Sequence, residues 1–208
     1  MFGPDPNAVH PNPAVPSLCF IKNTITRPNI IVGDYTYYDD PVDSEHFEDH
    51  VTHHYEFLGD RLIIGKFCAI ARGVTFIMNG ANHRMCSATT YPFNIMGGGW
   101  EKSTPRLEDL PFKGDTVLGN DVWVGERVTF LPGARVGDGA IIGAGAVVAG
   151  NIPAYAVAVG TPCKVVKMRF DEATIRRLLA LRWWDWPAER IFENLEALTS
   201  GDLSKLWE

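Results

Sequence analysis

No stretch of this chain approaches the roughly eighteen consecutive apolar residues that a membrane-crossing helix requires. Cysteine is scarce and scattered: Cys19, Cys68, Cys86 and Cys163 form neither a CxxC pair nor a Cys/His metal spacing. That pattern excludes a disulfide framework and suits free thiols in a reducing compartment. Positive charge is also short, with 19 Lys and Arg against 25 Asp and Glu and a net charge of −6, which argues against a nucleic-acid partner. The N-terminal residues lack both a basic start and an apolar centre, so they do not read as a signal peptide. Together these absences favour the cytoplasm. What remains is ordinary for a globular protein, 46% hydrophobic and 21% charged over 208 residues, enough for one sizeable domain and a small appendage.

What is present is a ladder. Every sixth residue from Leu118 onward is apolar: Leu118, Val124, Phe130, Val136, Ile142 and Val148. Glycine follows at Gly119, Gly125, Gly137 and Gly143. A helix repeats near 3.6 residues and a two-faced strand at 2, so neither alone explains a period of six. A solenoid of short strands does: one apolar residue per face points to the axis, a tight turn follows, and each coil of three hexads buries its interior against its neighbours. Glycine at the corner permits turn dihedrals and close approach. Shorter pieces of the ladder occur earlier, at Val32 and Tyr38 and again at Ile64, Ile70 and Phe76. Cys68 sits on this early ladder as a small buried filler. The fold expected is mainly β, a parallel β-helix with a protruding loop and a C-terminal α-helical tail.

The ladder divides the chain. Residues 1–16 carry Pro4, Pro6, Pro11, Pro13 and Pro16, and form an expected extended arm running over a surface, its own or a neighbouring subunit's. The β-helix occupies 17–168, interrupted by excursions at about 39–63 and 77–117. Such long insertions must protrude from a dry prism and are usually functional. The first carries His46, His50, His53 and His54 among Asp and Glu residues, but their spacing matches no zinc motif, and no metal is expected.

The second contains Met78-Asn79-Gly80-Ala81-Asn82-His83-Arg84, with aromatics and glycines beyond. His83 is the only histidine after position 54, and nearby carboxamides suit orienting an imidazole that acts as a base. A surface histidine without a role is the plainer alternative. Beyond the prism, Lys164, Lys167 and Arg169 suit phosphate groups, or merely balance an acidic chain. Residues 169–208 form the tail, with Asp171 as N-cap of a helix to about Arg182 and a second helix restarted by Asp185 and Pro187 toward Leu198. Trp183, Trp184 and Trp186 mark a packing hinge at the joint.

These segments resemble the xenobiotic acetyltransferases of the left-handed β-helix superfamily, and especially the Vat-type streptogramin A acetyltransferases. The likeness is carried by Val32-Gly33-Asp34-Tyr35-Thr36-Tyr37-Tyr38, Ile64-Gly65-Lys66-Phe67-Cys68, the stretch from Phe76 to Arg84, Gly114-Asp115-Thr116, Gly119-Asn120-Asp121-Val122-Trp123-Val124-Gly125, and Arg182-Trp183-Trp184-Asp185-Trp186-Pro187. It implies a left-handed coil, a homotrimer, and an O-acetyltransferase that uses acetyl-CoA and no metal on a small-molecule acceptor. By the same resemblance His83 is the catalytic base. Tyr37, Tyr55, Met78, Asn79 and Trp123 would line the acceptor pocket, and Gly143, Ala144, Thr161, Lys164 and Lys167 would meet acetyl-CoA. The acceptor would be a group A streptogramin, with chloramphenicol or another hydroxylated compound as the alternative. A trimeric β-helical metal enzyme and a non-catalytic solenoid are the readings from other classes.

Overall fold

A computed structural model describes residues 2–207; Met1 and Glu208, the outermost residues of the expected arm and tail, lie outside the described residues. The chain winds into a three-sided left-handed parallel β-helix. The first face stacks Ile30–Val32, Leu62–Ile64, Thr116–Leu118, Arg135–Val136 and Asn151–Ile152. The second stacks Tyr37–Asp39, Ala69–Ala71, Trp123–Val124, Ile141–Ile142 and Ala156–Val159, and antiparallel strands Leu18–Phe20 and Lys164–Met168 close its two edges. The third stacks Val51–Thr52, Thr75–Ile77, Thr129–Phe130 and Val147–Val148.

Pairing follows the expected ladder. Leu118 sits on Val136, Val124 on Ile142, and Phe130 on Val148, one coil apart. Every ladder residue from Leu118 to Val148 is buried. Ile64, Ile70 and Phe76 pair with Leu118, Val124 and Phe130, so the coil resumes in register after the second excursion. Phe76 and Phe130 stack at 4.7 Å between ring centroids, a spacing set by the separation of adjacent strands.

The corner glycines serve close approach. A Cβ on Gly33 would come 2.6 Å from the backbone nitrogen of Lys66 in the next coil, and one on Gly125 equally close to that of Ala144. The left-handed dihedral falls two residues later, at Tyr35, Phe67, Asp121 and Arg127, and after the last two corner glycines at Gly139 and Gly145. Turn conformation and stacking clearance therefore fall on different residues.

The first excursion is smaller than its sequence suggests. Val51–Thr52 forms a rung of the third face, with Val51 on Phe76, leaving two short loops at 40–50 and 53–61. Val51 lies 51 − 38 = 13 residues after Tyr38 and 64 − 51 = 13 before Ile64, and neither interval is a multiple of six. Its histidines go to separate hydrogen-bond partners, His46 to Asp43, His50 to Tyr38 and His54 to the Asp60 carbonyl.

The arm lies on its own chain. His10 joins the Leu18 carbonyl and Glu45, Asn23 donates to the carbonyls of Pro6 and Ala8, and the amide of Phe20 donates to the carbonyl of Val9. The tail begins with α1 (Glu172–Leu181), whose N-cap Asp171 accepts from the Thr174 amide, and ends at left-handed Arg182. The expected second helix is two: α2 (Ala188–Glu193) and α3 (Leu195–Thr199), broken at non-helical Asn194. Pro187 is the N-cap rather than a first-turn residue, while Asp185 pairs with Lys66 at 2.9 Å. Trp183 extends an aromatic column, packing 4.8 Å from Phe67, which stacks on Tyr35 at 4.7 Å. Trp184 is buried. The tail thus docks on the corner between the first and second faces. Among the described residues no helix is long and apolar enough to cross a membrane.

Candidate active site

His83 stands on the second excursion, which leaves the third face after Ile77 and rejoins the first at Thr116. Its imidazole is exposed, and its Nδ1 lies 2.7 Å from the Thr90 carbonyl oxygen. A carbonyl can only accept, so neutral His83 carries its proton on Nδ1 and presents an unprotonated Nε2. That is the arrangement a general base needs. The orienting group is this backbone carbonyl, not the neighbouring carboxamides that the sequence suggested.

Those carboxamides hold the loop's base. Asn79, 3% exposed, donates through Nδ2 to Asp60 Oδ2 at 2.8 Å and to the Gly114 carbonyl at 2.9 Å. Its Oδ1 accepts from the Lys113 amide at 2.7 Å and from Asn82 Nδ2 at 3.2 Å. Asn82 also donates to the Pro111 carbonyl at 3.2 Å. Both donors and both lone pairs of the Asn79 amide are therefore spent within the chain. Met78 is fully buried in the prism core. Both side chains, expected to line the acceptor pocket, are thus taken up within this chain. Burial in the axis and closure of the loop claim them first.

Tyr55 approaches the loop from the other side. It stacks with Phe57 at 5.6 Å and 11°, and its ring lies where a Cβ on Gly80 would fall 2.5 Å away. Glycine at 80 leaves room for the ring against the segment leading to His83. Both aromatics are exposed.

Tyr37 and Trp123 occupy a different side of the prism. They lie in one outward row of the second face, in the register Tyr37–Ala69–Trp123–Ile141–Val157–Lys167. Ala69 leaves a gap between the two rings, and Trp123 is 57% exposed. The row also brings Lys167 into line. Burial, with the charge of Asp39 second, raises the Tyr37 hydroxyl above its ordinary pKa, so it stays protonated and able to donate. Gly143 and Ala144 turn the corner from the second to the third face, and Thr161 lies beside them, its hydroxyl donating to the Gly145 carbonyl at 3.3 Å. Lys164 and Lys167 are exposed on the closing strand Lys164–Met168.

The expected site residues therefore fall into two groups. His83 and Tyr55 stand at the corner between the third and first faces. Tyr37, Trp123, Gly143, Ala144, Thr161, Lys164 and Lys167 belong to the second face and its edge, across the prism. Sequence reasoning missed Asp60, fully buried beneath the loop, and Phe57; no motif or spacing signals either.

The model of the family described as "Bacterial transferase hexapeptide (six repeats)" matches residues 115–150. A virginiamycin A acetyltransferase of Staphylococcus aureus is 52% identical over 204 residues, covering 98% of this chain and 92% of that one. A probable macrolide acetyltransferase of Lysinibacillus sphaericus is 62% identical over 156 residues, 75% of this chain and 87% of its own. A chloramphenicol acetyltransferase of Agrobacterium fabrum is 41% identical over 194 residues, 90% of each. With 52% identity over almost the full length of both chains, the chain belongs to the hexapeptide-repeat xenobiotic acetyltransferase family, in its Vat-type branch.

Proposed function

We propose that this enzyme transfers the acetyl group of acetyl-CoA to a hydroxyl of a group A streptogramin, with His83 as the general base, and so confers resistance to the antibiotic. The observation that carries the reading is the His83–Thr90 hydrogen bond, which leaves Nε2 free to accept a proton. Nε2 removes the hydroxyl proton as the acceptor oxygen attacks the thioester carbonyl carbon. The tetrahedral species collapses, the carbon–sulfur bond breaks, and the imidazolium returns its proton to the departing thiolate. The products are the acetyl ester and the CoA thiol. Tyr37, Tyr55 and Trp123 offer apolar area to the acceptor. Gly143, Ala144, Thr161, Lys164 and Lys167 meet acetyl-CoA, the lysines as point charges for its phosphates.

The working form is a cytoplasmic homotrimer with its sites between neighbouring prisms. The separation of the two residue groups supports this: a second copy can set its His83 corner against the second face of the first. Exposed Tyr91, Phe93, Trp100 and Phe112 on the protruding loop give such a copy apolar surface to cover. The streptogramin acceptor is supported by the virginiamycin A acetyltransferase relative, and a chloramphenicol acceptor by the 41% identical one.

The test is thiol release from acetyl-CoA with and without virginiamycin M, beside His83→Ala. Acceptor-dependent release that the variant loses supports acceptor and base together. Release with chloramphenicol alone keeps the chemistry and overturns the streptogramin, and silence with every acceptor overturns both.

A further inference from the structure

Asp60 is fully buried, yet no cation stands against it among the ion pairs of the described residues. Its carboxyl Oδ2 accepts the backbone amide of Asn79 at 2.9 Å and the Asn79 side-chain amide at 2.8 Å. The residue is held in turn by its own carbonyl, which accepts Nε2 of buried His54 at 2.9 Å. Adjacent Arg61 grips Asp115 with its amide and guanidinium, tying the same corner to the returning end of the excursion.

A buried carboxyl that accepts from both donors decides which way round a carboxamide sits. Because Asp60 takes N–H, the Asn79 NH₂ faces it, and the Asn79 oxygen faces Lys113 N–H and the Asn82 amide. Flipped, the oxygen would oppose the carboxyl oxygen and the NH₂ would oppose the Lys113 N–H. Four bonds would be lost inside a buried site, where unmade bonds are costly. The orientation matters because Asn79 joins the outgoing strand of the loop, through Asn82, to the returning strand at 113–114. His83 is the next residue after Asn82.

We infer that Asp60 is a positioning residue for His83, acting through the orientation of the Asn79 carboxamide and thereby setting where the imidazole stands relative to its substrates. The inference rests on the reading of His83 as base. A displacement of about an ångström at a reacting group can cost ~10²-fold in rate, so the expected signature is a loss in kcat.

The experiment compares Asp60→Ala, Asp60→Asn, His83→Ala and the Asp60→Ala/His83→Ala double variant in the intact enzyme, measuring kcat, acceptor KM, CoA binding and thermal unfolding. Asp60→Ala should lower kcat by ~10²-fold with CoA affinity within about threefold of the parent. Asp60→Asn keeps an oxygen that can accept from Asn79 and should recover much of that loss. In the His83→Ala background the Asp60→Ala change should cost nothing further, since it acts through a group already absent. Parent-level kcat in Asp60→Ala, or an equal loss on top of His83→Ala, overturns the positioning role. Should Asp60→Ala fail to fold, Asn79→Ala, which removes the carboxamide that carries the effect, takes its place, and parent-level kcat there, or an equal loss on top of His83→Ala, overturns the positioning role likewise. Parent-level activity in His83→Ala instead removes the base reading beneath it.

Discussion

Nδ1 of His83 donates to the carbonyl oxygen of Thr90 across 2.7 Å, closing a seven-residue span of the excursion and assigning the imidazole's proton. The acceptor is backbone, so the bond survives any side chain at 90 that keeps the local conformation. Nitrogen-15 spectra of the resting enzyme should report neutral His83 as the Nδ1–H form. Predominance of the Nε2–H form would remove the free lone pair from the place the chemistry needs it.

Loss of that imidazole should be a chemical defect and not a structural one. His83 is exposed and its one bond is to the loop that carries it. His83→Ala is expected to lower kcat by roughly 10²–10⁴-fold while thermal unfolding stays near the parent. A variant that unfolds early, or turns over normally, contradicts the assignment.

Trp123 tests the other half of the site. Its ring projects outward from a rung whose next residue, Val124, holds the core. Trp123→Ala should therefore leave stability almost unchanged and raise acceptor KM, as expected when apolar contact area is removed. An unaltered KM across an acceptor panel would show that this face does not meet the acceptor.

The core makes the opposite demand. Phe130 is fully buried and stacked on Phe76, so Phe130→Ala should cost about 3–5 kcal/mol. Gly119→Ala adds a methyl 2.7 Å from the backbone nitrogen of Asp138, and overpacking against backbone should cost at least about 1–3 kcal/mol. Denaturant midpoints for the two variants measure both.

Asp121 gives stability a pH dependence. Burial raises its carboxyl to about 6, against the opposing pull of Arg169 at 3.7 Å. A carboxyl raised on folding binds its proton more tightly in the folded chain, so between about pH 4 and 6 the unfolded chain loses that proton first. The group's contribution to stability then falls as pH rises through that window and is level above it. Asp121→Asn removes this dependence. The stability of the variant relative to the parent should climb from pH 4 to 6 and then hold, and a constant difference across the window would show that Asp121 does not titrate there.

The ladder was legible because a solenoid repeats its burial at a fixed interval, and Leu118 through Val148 keep that interval without exception. Where the interval failed, so did the reading: Val51 is a rung, but its thirteen-residue offsets hide it from a search for sixes. Helix punctuation behaved similarly. Asp171 caps as its type suggests, whereas Asp185 is drawn to Lys66, a residue 119 positions away that no local pattern could supply. Met78 and Asn79 belonged to the right segment, but which of its side chains face inward depends on how the excursion leaves its corner.

From its amino acids alone this protein determined the coil, the longer of its interruptions, and the histidine that stands on it, because period, glycine and proline act through neighbours in the chain. Only the tertiary structure decided which nitrogen of His83 is free, that Asp60 lies beneath Asn79, and that His83 and Trp123 stand on different sides of one prism. Those are relations between residues remote in sequence, and they come into being only when the coils stack.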